Sequence, residues 1–158
     1  MYNAMYFTLI YPYLDYCNVI WVGNSIDSLE CLKRLQERAI RVVTNLKLNC
    51  HTKLLFAKLY VLTLYNINKY KTCCFMYKIH DNLLPLNFVS LFSKNYFIHN
   101  YNTRQKDSFH VISHRTKVRE LSIKIRDTNL WNSLPTTMKE ITSFNQFKSK
   151  LKYYFIMS

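Results

Sequence analysis

The chain has 158 residues, of which 49% are hydrophobic and 20% are charged, so it can bury a core and is not expected to be disordered. Its single glycine and three prolines exclude the glycine-rich phosphate loops of Rossmann and P-loop proteins and disfavour all-β sandwiches and barrels. A formal net charge of +13 favours a polyanionic partner, although AT-rich coding sequence would also raise the lysine count. The composition therefore predicts a mainly helical protein that contacts nucleic acid.

The first segment, residues 1–22, is apolar and predicts a buried helix that Pro12 interrupts. It has neither the basic start nor the cleavage site of a secretory signal. A transmembrane span is disfavoured because Asp15 lies within the segment, and a carboxylate near the centre of a bilayer costs about 2.5–3.5 kcal/mol. We therefore expect an intracellular protein, cytoplasmic or nuclear, that is not secreted and has no membrane partner.

A helix over residues 27–46 is the best-defined element of the sequence. Its apolar positions predict an inward face made of Leu32, Leu35, Ala39, Val42, Val43 and Leu46. Arg34, Arg38 and Arg41 follow one another at i, i+4 and i+7 on the other side. Such a stripe is either the solvated face of an amphipathic helix or a row of phosphate contacts at one-turn spacing.

Three further helices are predicted before residue 93. With Thr52 as its cap, the first covers Lys53–Tyr60; the second runs from Tyr65 to about Asp81, and a short apolar one covers Phe88–Phe92. The inward face of the second is predicted to consist of Ile67, Tyr70, Cys74, Met76 and Tyr77.

Residues 93–119 lose helical periodicity and carry an excess of positive charge. The predicted second nucleic-acid-binding patch consists of Arg104, Lys106, Arg115, Lys117 and Arg119. Tyr101 and Phe109 lie in the same segment and are predicted to stack on bases. For this patch, as for the arginine stripe, a merely solvated surface is an equally good interpretation.

The C-terminal part combines a predicted strand with a predicted helix. Apolar and polar residues alternate over Leu121–Arg126, which is typical of a strand with one buried face. The run from Leu130 to Pro135, with Trp131 and Leu134, predicts a buried junction between two elements. After a short helical turn, a terminal amphipathic helix is expected behind Ser143, with an inward face of Phe144, Phe147, Leu151 and Phe155.

The predicted fold class is therefore mainly α, a helical bundle over residues 1–92 followed by a small mixed α/β extension over residues 93–158 with a basic loop, a short strand and a terminal helix. The five cysteines have no regular spacing, which predicts reduced thiols rather than disulfides or a zinc site. His110 and His114 lie four residues apart but lack a third ligand, so we expect a surface pair. No cofactor and no metal site are predicted for this chain.

Several short motifs follow one another along the chain: Leu9–Cys17 with Trp21 and Gly23, Leu35–Arg41, His80–Pro85, His99–Arg104, and Ser122–Ile125 leading to Trp131–Pro135. In this order they resemble the C-terminal region of reverse transcriptases from non-LTR (LINE-type, jockey-like) retrotransposons. The sequence departs from the family at residues 126–129, where the family has Gly-Pro before the tryptophan.

The resemblance implies a thumb and a C-terminal extension, which in this family follow the catalytic palm and grip the template–primer duplex. Its Mg²⁺ ions are held by palm aspartates, and Tyr13–Tyr16 does not supply them because Tyr16 replaces the second aspartate of the palm motif. The chain is thus expected to be a non-catalytic fragment of an RNA-directed DNA polymerase whose partners are RNA, an RNA–DNA duplex and the palm of the full-length enzyme. The alternative is a helical structural or interaction module, or a decaying remnant of the element, with no nucleic-acid role.

Overall fold

The computed structural model of the chain describes residues 2–21, 26–47, 50–99, 101 and 103–157. Regular structure in these ranges is helical, which confirms the mainly α fold class. The α-helices in chain order are α1 (Tyr2–Leu9), α2 (Tyr11–Asp15), α3 (Asn18–Trp21), α4 (Ile26–Val43), α5 (Lys53–Lys58), α6 (Leu64–His80), α7 (Leu86–Val89), α8 (Lys117–Glu120), α9 (Ile123–Asn132), α10 (Thr136–Lys139) and α11 (Phe144–Met157). A 3₁₀ turn covers Asn95–Phe97, and the only β pairing among the described residues is an isolated antiparallel bridge between Lys94 and Phe109.

The chain forms two compact units. Residues 1–70 and 149–158 make up the first unit and residues 71–148 the second, so that α6 and α11 supply residues to both. The predicted division of the chain into residues 1–92 and 93–158 stays a prediction. Across the described ranges, none of the helices combines the length and the apolarity needed to cross a bilayer.

In the first unit, α1, α2 and α4 pack together around a core of Tyr6, Ile40, Phe56 and Val61. The predicted interruption at Pro12 is confirmed, because α1 ends at Leu9 and Pro12 lies in the first turn of α2, where its missing N–H breaks no helical hydrogen bond. The prediction that this whole segment is buried is wrong.

Burial in the first segment is confined to a few side chains. Tyr6 and Leu14 are buried, whereas Leu9, Tyr13 and Ile20 are exposed. The helices here are short, and each can turn only one narrow side toward the core.

Helix α4 matches the predicted helix, but its predicted inward face is wrong at Leu35, Val42 and Leu46, which are exposed. The other predicted residues, Leu32, Ala39 and Val43, are half-buried. Leu35 and Val42 are 54% and 68% exposed, while Leu29, Gln36 and Ile40 are buried.

The face of α4 that is buried is thus rotated from the predicted one. The Gln36 side chain explains this rotation, because both the nitrogen and the oxygen of its amide form hydrogen bonds in the core. Its Nε2 donates to the Tyr6 hydroxyl at 2.8 Å and to the Leu62 carbonyl at 2.9 Å, and its Oε1 accepts from the Leu64 N–H at 2.8 Å.

Helix ends in the first half of the chain follow from residues in the left-handed region. Asn45 has φ of 54°, and the Leu46 N–H bonds back to the Arg41 carbonyl at 3.0 Å, so α4 ends before Leu46. Asn82 has φ of 53° and ends α6 as predicted. The inward face of α6 is confirmed for Ile67, Cys74, Met76 and Tyr77, whereas Tyr70 is half-buried. Thr52 makes no capping hydrogen bond, so that predicted cap is wrong.

The predicted strand at Leu121–Arg126 is wrong, because most of this stretch belongs to α9. Six alternating residues are too few to separate a strand from a helix, and the helical spacing appears only when Ile125, Thr128 and Trp131 are considered together, all of which are buried. The terminal helix α11 begins after Ser143 and buries Phe147, Leu151 and Phe155, as predicted, whereas Phe144 is only half-buried.

Candidate nucleic-acid interface

Two of the three arginines in the stripe on α4 are exposed without a carboxylate partner in the described part of the chain. Arg34 and Arg38 are exposed one turn apart, and neither forms an ion pair with a carboxylate of the described residues. Glu30, the acidic neighbour of Arg34, accepts a hydrogen bond from the Tyr65 hydroxyl at 2.8 Å, which lowers the pKa of the Glu30 carboxyl, with Lys33 at 3.4 Å adding to the effect. The two arginines thus present positive charge to solvent.

Arg41, the third arginine of the stripe, has a structural role. Its Nε donates to the Cys50 carbonyl at 3.0 Å, and its guanidinium lies 3.8 Å from the Glu37 carboxylate. Its side chain is 19% exposed. The structure therefore brings Arg34 and Arg38 together on the surface and turns Arg41 toward the chain that follows α4.

The second predicted patch lies on a segment that we call the basic segment, residues 103–119. Its first part is held by backbone pairing with residues 94–96. The Asn95 N–H donates to the Ser108 carbonyl at 3.0 Å and the Tyr96 N–H to the Lys106 carbonyl at 3.1 Å, while the Asn95 side chain donates to the Gln105 carbonyl at 2.8 Å. This loop therefore has a defined shape without being a strand.

All five cations of the basic segment are exposed. They are Arg104, Lys106, Arg115, Lys117 and Arg119. None of them forms an ion pair with a carboxylate in the described part of the chain. Lys117 and Arg119 lie on the single-turn helix α8, where the predicted loop has helical structure and the Thr116 hydroxyl accepts the Arg119 N–H at 3.4 Å.

Only one of the two aromatic residues that were predicted to stack on bases is exposed. Tyr101 is 80% exposed, as base stacking requires, but Phe109 is buried at 3% exposure, so its predicted stacking role is wrong. Tyr96 and Phe97 are exposed and their ring centroids lie 4.2 Å apart. These two residues were not among the predicted candidates for base stacking. The signal available for them is two adjacent aromatic residues in a stretch without helical periodicity.

Phe109 is buried because it anchors the basic segment to the junction at Trp131. The side-chain amide of Asn132 pairs with the Phe109 backbone, accepting its N–H at 3.2 Å and donating to its carbonyl at 2.8 Å. Trp131 is 2% exposed, and its ring contacts the rings of Tyr77, His80, Phe109 and Phe147 at centroid distances of 6.5, 5.6, 6.5 and 6.0 Å. The predicted buried junction is confirmed, and it positions the basic segment.

Arg104 borders two cavities of the second unit that differ in charge. One, of about 560 Å³, is lined by uncharged side chains besides Arg104, with Tyr101 and His99 on its wall. The other, of about 570 Å³, is lined by the carboxylates Asp81, Asp107 and Glu140 as well as by Arg104 and Lys139. Carboxylates repel a polyanion, so the second cavity is the less favourable of the two for phosphate groups.

The histidines and cysteines within the described ranges are candidate metal ligands. Among the residues that the structure describes, no three His, Cys, Asp or Glu side chains are grouped so that they could hold a metal ion. The His110 ring lies 3.3 Å from the Asn95 side-chain oxygen through its Nδ1. The five cysteines all lie in the described ranges, and none of them forms a disulfide.

Comparison with known proteins gives no further assignment: no family model, no curated protein and no solved structure matches this chain.

Proposed function

We propose that this chain binds RNA or an RNA–DNA duplex without sequence preference, as the thumb and C-terminal extension of a non-LTR retrotransposon reverse transcriptase whose catalysis and Mg²⁺ belong to the palm. The observation that carries the binding proposal is the set of five exposed cations on the basic segment, without carboxylate partners in the described chain. Exposed lysines and arginines bind phosphates by displacing counterions.

Packing between the motifs supports the proposed origin. His80, from the motif His80–Pro85, stacks on Trp131, from the motif Trp131–Pro135, at a centroid distance of 5.6 Å. The latter motif also holds Phe109, five residues beyond the motif His99–Arg104, through Asn132. Two of the motifs that resemble the family, His80–Pro85 and Trp131–Pro135, thus contact each other in the second unit, as a shared structural origin predicts.

The exposed rings add a preference for unpaired bases. Tyr101 is 80% exposed beside Arg104, and Phe97 is 74% exposed. In a duplex the base faces are stacked on each other and unavailable, whereas a single strand offers them to aromatic side chains for about 1–3 kcal/mol per base. We therefore expect single-stranded RNA to bind more tightly than a duplex of equal length.

Salt-titrated binding of a fluorescent RNA oligonucleotide tests the proposal. If the five cations contact phosphates of a single strand, affinity falls by about 10²-fold between 50 and 200 mM salt. The plot of log K against log salt has a negative slope, and replacing all five cations by alanine reduces the magnitude of this slope by about 3.5. An affinity that salt does not change would refute phosphate binding.

Lys124→Ala and Lys150→Ala together are the matched control, because both lysines are exposed and lie outside the basic segment. The control variant is expected to keep most of the salt slope. Tyr101→Ala tests base stacking separately: it should weaken single-strand binding by about tenfold and leave duplex binding unchanged.

The alternative, a helical interaction module without a nucleic-acid role, is favoured by one observation. Leu35 and Val42 are exposed on the same helix as Arg34 and Arg38, which suits a protein partner better than phosphate. Arg34→Ala with Arg38→Ala separates the two, because RNA binding weakens under the proposed function and is unchanged under the alternative.

A further inference from the structure

A cavity of about 400 Å³ in the first unit lies away from the residues proposed to bind RNA. Four helices line it: α4 through Lys33, α5 through Lys53, α6 through Lys69 and α11 through Phe155. Its volume falls in the range of pockets that hold small organic ligands, about 300–1,000 Å³. It is large enough for one nucleotide.

Buried apolar side chains form one part of the cavity wall. Phe56 and Phe155 are each 5% exposed and Val61 is 2% exposed. The Asn66 side chain, also on the wall, donates to the Phe155 carbonyl at 2.6 Å and so ties α11 to α6. A flat ring packed against this wall would replace water on an apolar surface that is held in place.

Three lysines supply the charge of the wall. Lys53 and Lys69 are exposed and form no ion pair with a carboxylate of the described residues, while Lys33 lies 3.4 Å from Glu30. The carboxylate on the wall, Glu37, lies 3.8 Å from the Arg41 guanidinium, which offsets its charge. Because these lysines come from separate helices and line one cavity, an anion bound in it is attracted by more than one positive charge.

We propose that this cavity binds a phosphate monoester that carries a flat aromatic body, as a mononucleotide does. The ring packs against Phe56 and Phe155, and the phosphate lies between Lys53 and Lys69, where charge-assisted hydrogen bonds are strong. Thr52, whose hydroxyl makes no capping bond to α5, is also among the lining residues of this cavity. The ligand is either a free nucleotide or the phosphorylated terminal nucleotide of a strand.

Isothermal titration of the full chain with adenosine monophosphate, adenosine and inorganic phosphate tests the site. We expect the nucleotide to bind at least tenfold more tightly than either part, because it uses the apolar wall and the lysines together. Lys53→Glu with Lys69→Glu should weaken nucleotide binding at least tenfold. If the nucleotide binds no more tightly than phosphate, or if the double variant binds it as the wild type does, the proposal is overturned.

Lys58→Glu is the matched control, because Lys58 is an exposed lysine of α5 outside the cavity wall. It should leave nucleotide binding within about twofold, and an equal loss in both variants would mean nonspecific charge attraction and overturn the site. Ala57→Phe fills the cavity from an exposed position on its wall, so it should remove the advantage of the nucleotide over phosphate. Circular dichroism establishes that each variant is folded.

Two further arms identify the source of the phosphate and keep this proposal separate from RNA binding. If a 5′-phosphorylated RNA binds more tightly than its unphosphorylated form, and the double variant abolishes the difference, the ligand is a strand end. If only the free nucleotide depends on Lys53 and Lys69, the ligand is a small molecule. Alanine variants of the basic segment should leave nucleotide binding unchanged, so either proposal can fail alone.

Discussion

The arginine stripe on α4 and the basic segment have the same charge but different relations to their surroundings. On α4, Arg41 bonds the Cys50 carbonyl at 3.0 Å and faces Glu37, so only Arg34 and Arg38 face solvent freely. In the basic segment all five cations are exposed. Regular spacing on a helix therefore gives weaker evidence for a binding surface than a cluster on a shaped loop.

The two regions also differ in what holds them in place. The rotation of α4 is held by Gln36, a polar residue whose bonds reach Tyr6, Leu62 and Leu64. The basic segment is held by residues far from it in sequence: Asn132 bonds the backbone of Phe109, and the Trp131 ring contacts the Phe109 ring. Substituting Gln36 in one region and Asn132 or Trp131 in the other shows whether RNA affinity depends on these anchoring contacts or only on the positive charges.

The largest effect is expected from Trp131→Ala, which removes a ring that contacts four others in the second unit. The free energy of unfolding should fall by about 3–5 kcal/mol, and RNA affinity should fall with it because the basic segment loses its anchor. Urea unfolding with circular dichroism measures the first and fluorescence anisotropy the second. Trp131→Phe keeps an aromatic ring and should cost much less; equal unfolding midpoints for wild type and Trp131→Ala would contradict this role.

Gln36→Leu is expected to have the next largest effect, and it acts on the other region. Leucine leaves the buried Leu64 N–H and Leu62 carbonyl without partners, at a cost of about 2–3 kcal/mol in the free energy of unfolding. The neighbouring change Leu35→Gln is the control, since Leu35 is exposed and surface substitutions cost less than about 0.5 kcal/mol. A greater loss from Leu35→Gln would mean that α4 is rotated as its apolar residues predicted.

Asn132→Ala tests the anchor of the basic segment without altering any charge. The Phe109 N–H and carbonyl lose their side-chain partner, which should cost about 1–2 kcal/mol of unfolding free energy. RNA affinity should fall although all five cations remain, because their loop is less ordered. Asn129→Ala, at an exposed position of the same helix, should change neither quantity; unchanged RNA affinity in Asn132→Ala would show that the segment binds without its anchor.

Sequence patterns located most of the helices but not always the side that each one buries. The terminal helix was found with its inward residues Phe147, Leu151 and Phe155, because there the apolar spacing agrees with the core. On α4 the spacing of Leu35 and Val42 was misleading, since a buried glutamine reverses the usual preference. Hydrogen bonds between residues 26–30 apart, such as those of Gln36, leave no periodic mark on the sequence.

The candidate site was predictable in charge and not in shape. The exposed cations of the basic segment follow from its excess of lysine and arginine, and Tyr101 is exposed, as base stacking would require. Phe109 was misassigned because its ring contacts Trp131 and its backbone bonds the Asn132 side chain, 23 residues away. The predicted strand at Leu121–Arg126 failed for the same reason, since contacts with distant residues decide between two local patterns.

The smallest effects are expected from Arg41→Ala and Arg38→Ala. The first should change stability and the second should change RNA binding. Arg41→Ala removes a bond to the Cys50 carbonyl and should cost about 1 kcal/mol of unfolding free energy with little change in RNA affinity. Arg38→Ala should leave stability unchanged and lower the salt slope of RNA binding by about 0.7, the contribution of one phosphate contact in a single strand. Urea unfolding and salt-titrated anisotropy on both variants provide the four values needed. If Arg41→Ala lowers the slope as much as Arg38→Ala does, then Arg41 also contacts phosphate, and the whole stripe binds as the sequence predicted.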